Sequence, residues 1–350
     1  MSQMRGTWDG CSLIQSDNSP MKLATYQDGS RDGQLVVVSR NLSQAHYASQ
    51  IANRLQQALD DWNYLSPQLQ DLSDALNSGR ARHAFPFDPR QCMAPLPRAF
   101  QWVEGFGYVS NTLPDPSACN APELVQGSGA NLLGACDPIV CGDEAWGVDF
   151  SAGLAAVTGD LPQDCTSDRA LDGIRLLMLA NAVTLRYLTQ SKPCTAFSPV
   201  AVTPDELSEA WNRGRVHAPL QVIWNGRKVG LCDAGADMPF HFGRLLSTLA
   251  QSRPVRAGSI VGSGPVMNKS VERKGRTEWP NGYSSIAEKR AMETLQDGQP
   301  TTEFMRFGDT LRIEMKGRDG ASFFGAIEQE VVPAANAARV SPASAAAQTP

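Results

Sequence analysis

A strand-rich α+β fold is what this sequence predicts, and three observations carry the prediction. Two amphipathic helical stretches lie close together near the N-terminus, over residues 44–62 and 66–78. From Phe100 onward the text becomes strand-rich and glycine-rich. Two hairpin signals follow, Asn225-Gly226 between apolar runs and a glycine-bounded turn at 317–320. The chain has 350 residues and is 42% hydrophobic, which suits one large domain or two moderate ones.

Taken in order, residues 1–20 are polar and aperiodic and read as an unstructured extension, with Met21 opening the ordered text. Residues 22–26 and 35–39 read as strands joined by a Gly- and Asp-rich turn. Ser43 is the expected cap of the first helix, whose apolar face is Ala48, Ile51, Ala52, Leu55, Leu59 and Trp62. Ser66-Pro67 is the expected start of the second, with Leu69, Leu72 and Leu76 as its stripe. The Pro- and Arg-rich segment 80–98 marks a boundary, giving an N-terminal domain at 21–95 and a larger one at 96–332. Residues 146–160, WGVDFSAGLAAVTGD, read as one long strand, with Ser151 and Gly153 on the same face. Helix then strand is expected over 166–188, a short helix after Thr203-Pro204, a hairpin over 221–231, an amphipathic helix over 239–251, and a closing hairpin from 310–316 and 322–331. The tail from 333 is rich in Ala, Pro and Ser and reads as disordered.

Charge and composition exclude several functions. Net charge is −5 without a basic run, which argues against nucleic acid. No apolar run approaches the roughly 18 residues of a membrane helix. Eight scattered cysteines without a C-x-x-C pair suit reduced thiols in a cytoplasmic protein; Cys136, Cys141 and Cys165 could hold zinc, although no histidine lies near them in sequence. The segment GSIVGSG (258–264) could present backbone N–H groups to an oxyanion or be a plain turn.

Several blocks carry a further message: CMAPLPRAFQW (92–102), WGVDF…VTGD (146–160), SKPCTAFSPVAVTPDEL (191–207), AGSIVGSG (257–264), YSSIAEKR (283–290) and FGDTLRIEM (307–315). Together they resemble the bacterial branch of the fumarylacetoacetate hydrolase superfamily over about residues 21–331. The resemblance implies a small α+β N-terminal domain, a C-terminal mixed β-roll, a homodimer, and cleavage of carbon–carbon bonds in β-diketo acids by a Mg²⁺, Mn²⁺ or Ca²⁺ centre.

Carried over position by position, the family's four carboxylate ligands fall on Glu104, Ser151, Gly153 and Ala182, so one acid remains. A hard divalent cation takes oxygen ligands, usually including anionic ones. The family's catalytic His falls on Asn111, a pocket Tyr on Val125 and a Thr on Pro265, and an expected Arg has no counterpart in 112–120. Lys192, Glu288, Gln126, Ser263 and Gly264 match. The expected site is therefore Lys192, Glu288 and Asn111 for catalysis, with Gln126, Ser151, Ser263 and Gly264 binding substrate. No cofactor is expected unless a cation site is rebuilt around Glu104 with Asp149 or Asp160.

Three readings follow. The first is an enzyme that isomerises, decarboxylates or cyclises a small β-dicarbonyl or 2-oxo acid without metal. The second is a non-catalytic relative that binds an oxo acid or forms a heterodimer with an active paralogue. The third is a residual hydrolase. Against each stands a plainer role: Lys192 as a salt-bridged surface lysine, and Glu288 as a first-turn acid favoured by its helix dipole.

Overall fold

The computed structural model describes residues 20–109, 119–188 and 192–336. Asn111 lies outside them, as do the extension 1–19 and the tail from 337.

Strands in chain order are β1 Lys22–Tyr26, β2 Gln34–Val38, β3 Gln44–Tyr47, β4 Phe85–Pro86, β5 Trp102–Gly105, β6 Leu124–Gly127, β7 Ile139–Cys141, β8 Val148–Asp149, β9 Ala152–Thr158, β10 Ile174–Ala182 and β11 Thr184–Leu185. They continue as β12 Thr195–Phe197, β13 Ala201–Val202, β14 Trp211–Asn212, β15 Arg215–Val216, β16 Pro219–Trp224, β17 Arg227–Asp233, β18 Ile260–Gly262, β19 Val271–Arg273, β20 Arg276–Glu278, β21 Thr310–Lys316 and β22 Ser322–Pro333. The α-helices are α1 Leu55–Asp60, α2 Trp62–Asn77, α3 Ser167–Asp172, α4 Phe242–Ala250 and α5 Ile286–Asp297. The fold is thus α+β and strand-dominated.

An 11-stranded sheet runs β4-β3-β2-β1-β13-β10-β9-β18-β5-β6, with β12 added on β10. Strands from both ends of the chain share it. Its two faces bury different cores. Trp102, Ala155, Val157, Met178, Ala182 and Ile260 pack with Leu55, Leu59 and Leu69 of α1 and α2. Val103, Leu154, Ala156, Leu177 and Val261 pack with Leu245 of α4 and with the second sheet, ordered β17-β16-β21-β22-β7. Odd and even residues of β9, and of β10 from Leu176 onward, separate between these cores, as period-two alternation requires, and the register shift between Ile174 and Leu176 puts Ile174 with the odd residues.

Several expectations are corrected. The helix expected over 44–62 is instead β3, a turn and the six-residue α1, because Ala45, His46 and Tyr47 pair with β2. Ser43 caps no helix and hydrogen-bonds Asn41. The next helix starts at Trp62, so Pro67 lies inside it. The long strand at 146–160 is broken: residues 144–146 form a 3₁₀ turn, and Phe150-Ser151 separates β8 from β9. The segment 258–264, read as an N–H-presenting stretch or a plain turn, contains β18. By contrast, β16 and β17 form the expected hairpin, and Asn225 (φ 50°) and Gly226 (φ 73°) supply the two positive φ angles of a type I′ turn.

Candidate active site

The site begins at the end of β5. Alternation puts Glu104 on the face of Trp102, where it is 2% exposed. A carboxylate removed from water this far needs compensation. Two groups provide it: the Lys192 ammonium contacts Oε2, and the Ser151 hydroxyl donates to Oε1 at 3.2 Å. Lys192 comes from the segment entering β12, and its side chain is 20% exposed. Burial draws its ammonium down to about 8.

Ser151 is held from behind. Its N–H donates to Asn181 Oδ1 at 3.0 Å, and its carbonyl accepts from Ala182 N at 3.0 Å. Asn181 Nδ2 donates to Gln329 Oε1 at 2.9 Å, and Gln329 donates to the Asp137 carbonyl at 2.7 Å. A hydrogen-bonded line therefore runs from the second sheet through β10 to Ser151 and Glu104. Asn181 was not among the expected site residues. Its signal was a buried amide in the apolar run LLMLANAV, since a buried polar group needs a partner.

Around this centre the structure sorts the expected residues. Val125 lies directly across from Glu104. Gln126 lies across from Val103, which puts it on the opposite face, and it is exposed; it does not join Glu104. The Ser263 hydroxyl accepts from Leu154 N at 3.1 Å and donates to the Gly264 carbonyl at 2.8 Å, so it works as a staple in the sheet. Gly264 turns the chain at φ 71°.

Asp149 is the clearest correction. It was expected beside Glu104 as a substitute ligand. The break at Phe150-Ser151 turns it elsewhere. It accepts from Ile286 N at 2.7 Å and Ala287 N at 3.1 Å at the start of α5, and it pairs with Arg186 at 2.7 Å. Desolvation raises its pKa, while Arg186 and the helix N–H groups oppose the rise. Asp160 is exposed and engages Ala257 N and Arg256, away from Glu104.

Glu288 sits in the first turn of α5. It is 8% exposed, accepts only a 3.4 Å contact from Ser284 N, and its Oε1 is buried without a hydrogen-bond partner among the described residues. Burial pushes its pKa up to about 8, and the nearby Asp149 charge adds to the rise. Its electrostatic neighbours are Asp149 and Cys232 instead of Lys192.

These donors do not fit a divalent cation. Glu104 already bears an ammonium and a hydroxyl, Asp149 is committed to α5, and Ala182 has no donor atom in its side chain. At Gly153 a Cβ would lie 2.2 Å from the Gly264 carbonyl oxygen, so backbone occupies the direction a carboxylate side chain would take. Among the described residues no three His, Cys, Asp or Glu side chains form a metal-ligating group, and that includes the cysteines considered for zinc. Among the described residues no helix is long and apolar enough to cross a membrane.

Comparison with known proteins agrees with the fold. The model of the fumarylacetoacetase N-terminal domain 2 matches residues 21–98, and that of the fumarylacetoacetate (FAA) hydrolase C-terminal domain matches 100–332. No curated protein sequence matches significantly. A solved probable 2-hydroxyhepta-2,4-diene-1,7-dioate isomerase from Mycobacterium abscessus is 14% identical, with TM-score 0.62, covering 90% of this chain and 99% of its own. Maleylpyruvate hydrolase from Sphingobium sp. SYK-6, solved with manganese(II) and pyruvate, is 14% identical with TM-score 0.61 (89% and 99% covered). Fumarylacetoacetate hydrolase from Exiguobacterium antarcticum is 15% identical with TM-score 0.63 (89% and 99% covered). With both family models matched across residues 21–332 and the architecture shared throughout, the chain belongs to the fumarylacetoacetate hydrolase superfamily.

Proposed function

We propose that this protein is an enzyme whose divalent-metal site has been dismantled and which isomerises, decarboxylates or cyclises a small β-dicarbonyl or 2-oxo acid without metal. One observation carries the reading: a half-buried ammonium, Lys192, sits on the one retained acid of the ligand positions, and Ser151, at a second of those positions, orients that acid. Reactions of this class need a polarised oxygen and a group that moves a proton. Lys192 offers fixed positive charge to an enolate or carboxylate oxygen, and Ser151 offers a hydrogen bond. Glu288 keeps a proton up to about pH 8 and is the candidate acid, with Asn111 as a further hydrogen-bonding group. Superfamily structures named as isomerases and as hydrolases support this substrate class. The test is turnover of oxaloacetate and of an acylpyruvate by chelator-treated protein. We expect activity that Lys192→Ala abolishes; activity indifferent to that change sinks the proposal.

A second reading is favoured by the Gly264 carbonyl packed against Gly153, which removes space from the pocket. In that reading the chain binds an oxo acid without turnover, or pairs with an active paralogue. Co-purification as a heterodimer, with no turnover of either substrate, would select it. In the first reading a cytoplasmic homodimer is the proposed assembly.

A further inference from the structure

Resting on the metal-independent reading above, we propose that Lys192 Nζ is a covalent catalyst that condenses with the ketone carbonyl of a 2-oxo acid or β-dicarbonyl to form a protonated imine, with Glu104 taking and returning the proton. Three observations converge on it. A primary amine and a carboxylate base are in direct contact. The base is fixed through its other oxygen by Ser151, itself held by Asn181 and Gln329. Glu104 is sealed at 3% side-chain exposure while Lys192 keeps 20%, so the lysine is the partner that solvent reaches. The chemistry supplies the reason. Breaking a bond next to a ketone needs an electron sink, and the donors here do not fit the divalent cation that could serve as one. An iminium places a full positive charge directly on the carbon framework.

The step balances. The Lys192 ammonium passes one proton to Glu104, and the neutral nitrogen attacks the ketone carbon. The N–C bond forms as the carbonyl π bond breaks, and a proton from nitrogen moves to that oxygen through Glu104. The carbinolamine then takes the remaining Glu104 proton and loses water, leaving a protonated imine. For a β-carboxylate substrate, the electron pair of the breaking C–CO₂⁻ bond enters the iminium as carbon dioxide leaves. The resulting enamine takes a proton at carbon, and water hydrolyses the imine to regenerate the lysine.

The experiment treats the chelator-stripped full chain with pyruvate and borohydride, whose hydride reduces an imine to a stable amine. Intact mass and peptide mapping follow, alongside oxaloacetate decarboxylation. The expected result is one reduced adduct per chain on Lys192. It is absent in Lys192→Arg, which keeps the charge but loses decarboxylation to background. Trapping is slowed in Glu104→Gln and in Ser151→Ala, and thermal melts establish that each variant is folded. Metal-free turnover without an adduct on Lys192, or turnover retained by Lys192→Arg, overturns the imine and leaves the ammonium as a fixed charge. An adduct of equal yield in Lys192→Arg overturns it as non-specific labelling. Absence of both turnover and adduct overturns the imine together with the metal-free reading.

Discussion

Lys22 and Lys192 each meet a buried glutamate, Glu206 and Glu104, and the rest of their surroundings differ. Lys22 is 2% exposed, lies 3.3 Å from Glu206, and also donates to the Ser322 and Phe323 carbonyls of β22; Arg40 adds a second cation 3.5 Å from Glu206. Every direction its ammonium can use is taken, and those contacts join the N-terminal strand to the last strand of the second sheet. Lys192 has Glu104 as its hydrogen-bond partner among the described residues and remains partly open. Desolvation lowers the pKa of both lysines. Neighbouring carbonyls complete the Lys22 pair as a structural tie, and we propose that the Lys192 pair, with one side reachable, is the reactive one.

The comparison is broken most sharply by truncating each lysine. Removing one partner of a buried pair strands the other charge, so Lys22→Ala should cost about 3–5 kcal/mol in urea unfolding. Lys192→Ala strands Glu104 in the same way and should cost a comparable amount, and it alone should lower chelator-resistant turnover by at least about 10²-fold. An equal loss of turnover in Lys22→Ala would remove the distinction.

A smaller effect is expected at Asp149, another buried charge with a structural role. Asp149→Asn keeps the shape but turns an N–H₂ toward donors, Arg186 and the α5 N–H groups. About 1–3 kcal/mol should be lost, measured by thermal or urea unfolding. Metal affinity should not change; a change would return Asp149 to the list of ligands.

A pH slope is expected from Glu288. Its pKa rises from the ordinary 4.5 to about 8 in the folded chain. The folded state therefore binds this proton more tightly, so the contribution to stability is complete below about pH 4.5 and is lost as pH climbs to about 8. Glu288→Gln, neutral throughout, should flatten the fall in urea midpoint across that window. An unchanged slope would mean that Glu288 is not held protonated.

Much of the fold was legible because its signals are local or are carried by contiguous blocks. Asn225-Gly226 needs only its own backbone to form a type I′ turn, and β21 (TLRIEMK) alternates apolar and polar residues. The expected helix at 44–62 failed because its spacing is helical only in the abstract. Val36, Val37 and Val38 of β2 offer β3 a pairing edge, and tertiary pairing overrides propensity. Pro67 misled for a related reason, since α2 starts at Trp62, five residues before the proline used to mark its start. In the site, Glu104, Ser151 and Lys192 are each singled out by the sequence, and their mutual contacts come from the fold. So does the fate of Asp149. Alternation extrapolated through Phe150-Ser151 puts it beside Glu104, and only the break in the strand, together with the arrival of α5, sends it elsewhere. Gln126 fails by one step of register, because a neighbour one residue along a strand faces the opposite layer.

We propose that positive charge from Lys192 on Glu104 takes the place of a divalent cation in this fold. The most direct measurement is a calorimetric titration of chelator-stripped protein with Mn²⁺ and Mg²⁺, beside a superfamily member that carries the paired carboxylates. No saturable heat is expected at about millimolar metal, because the site offers too few free anionic oxygens. Saturable binding near the affinity of that relative would contradict the proposal.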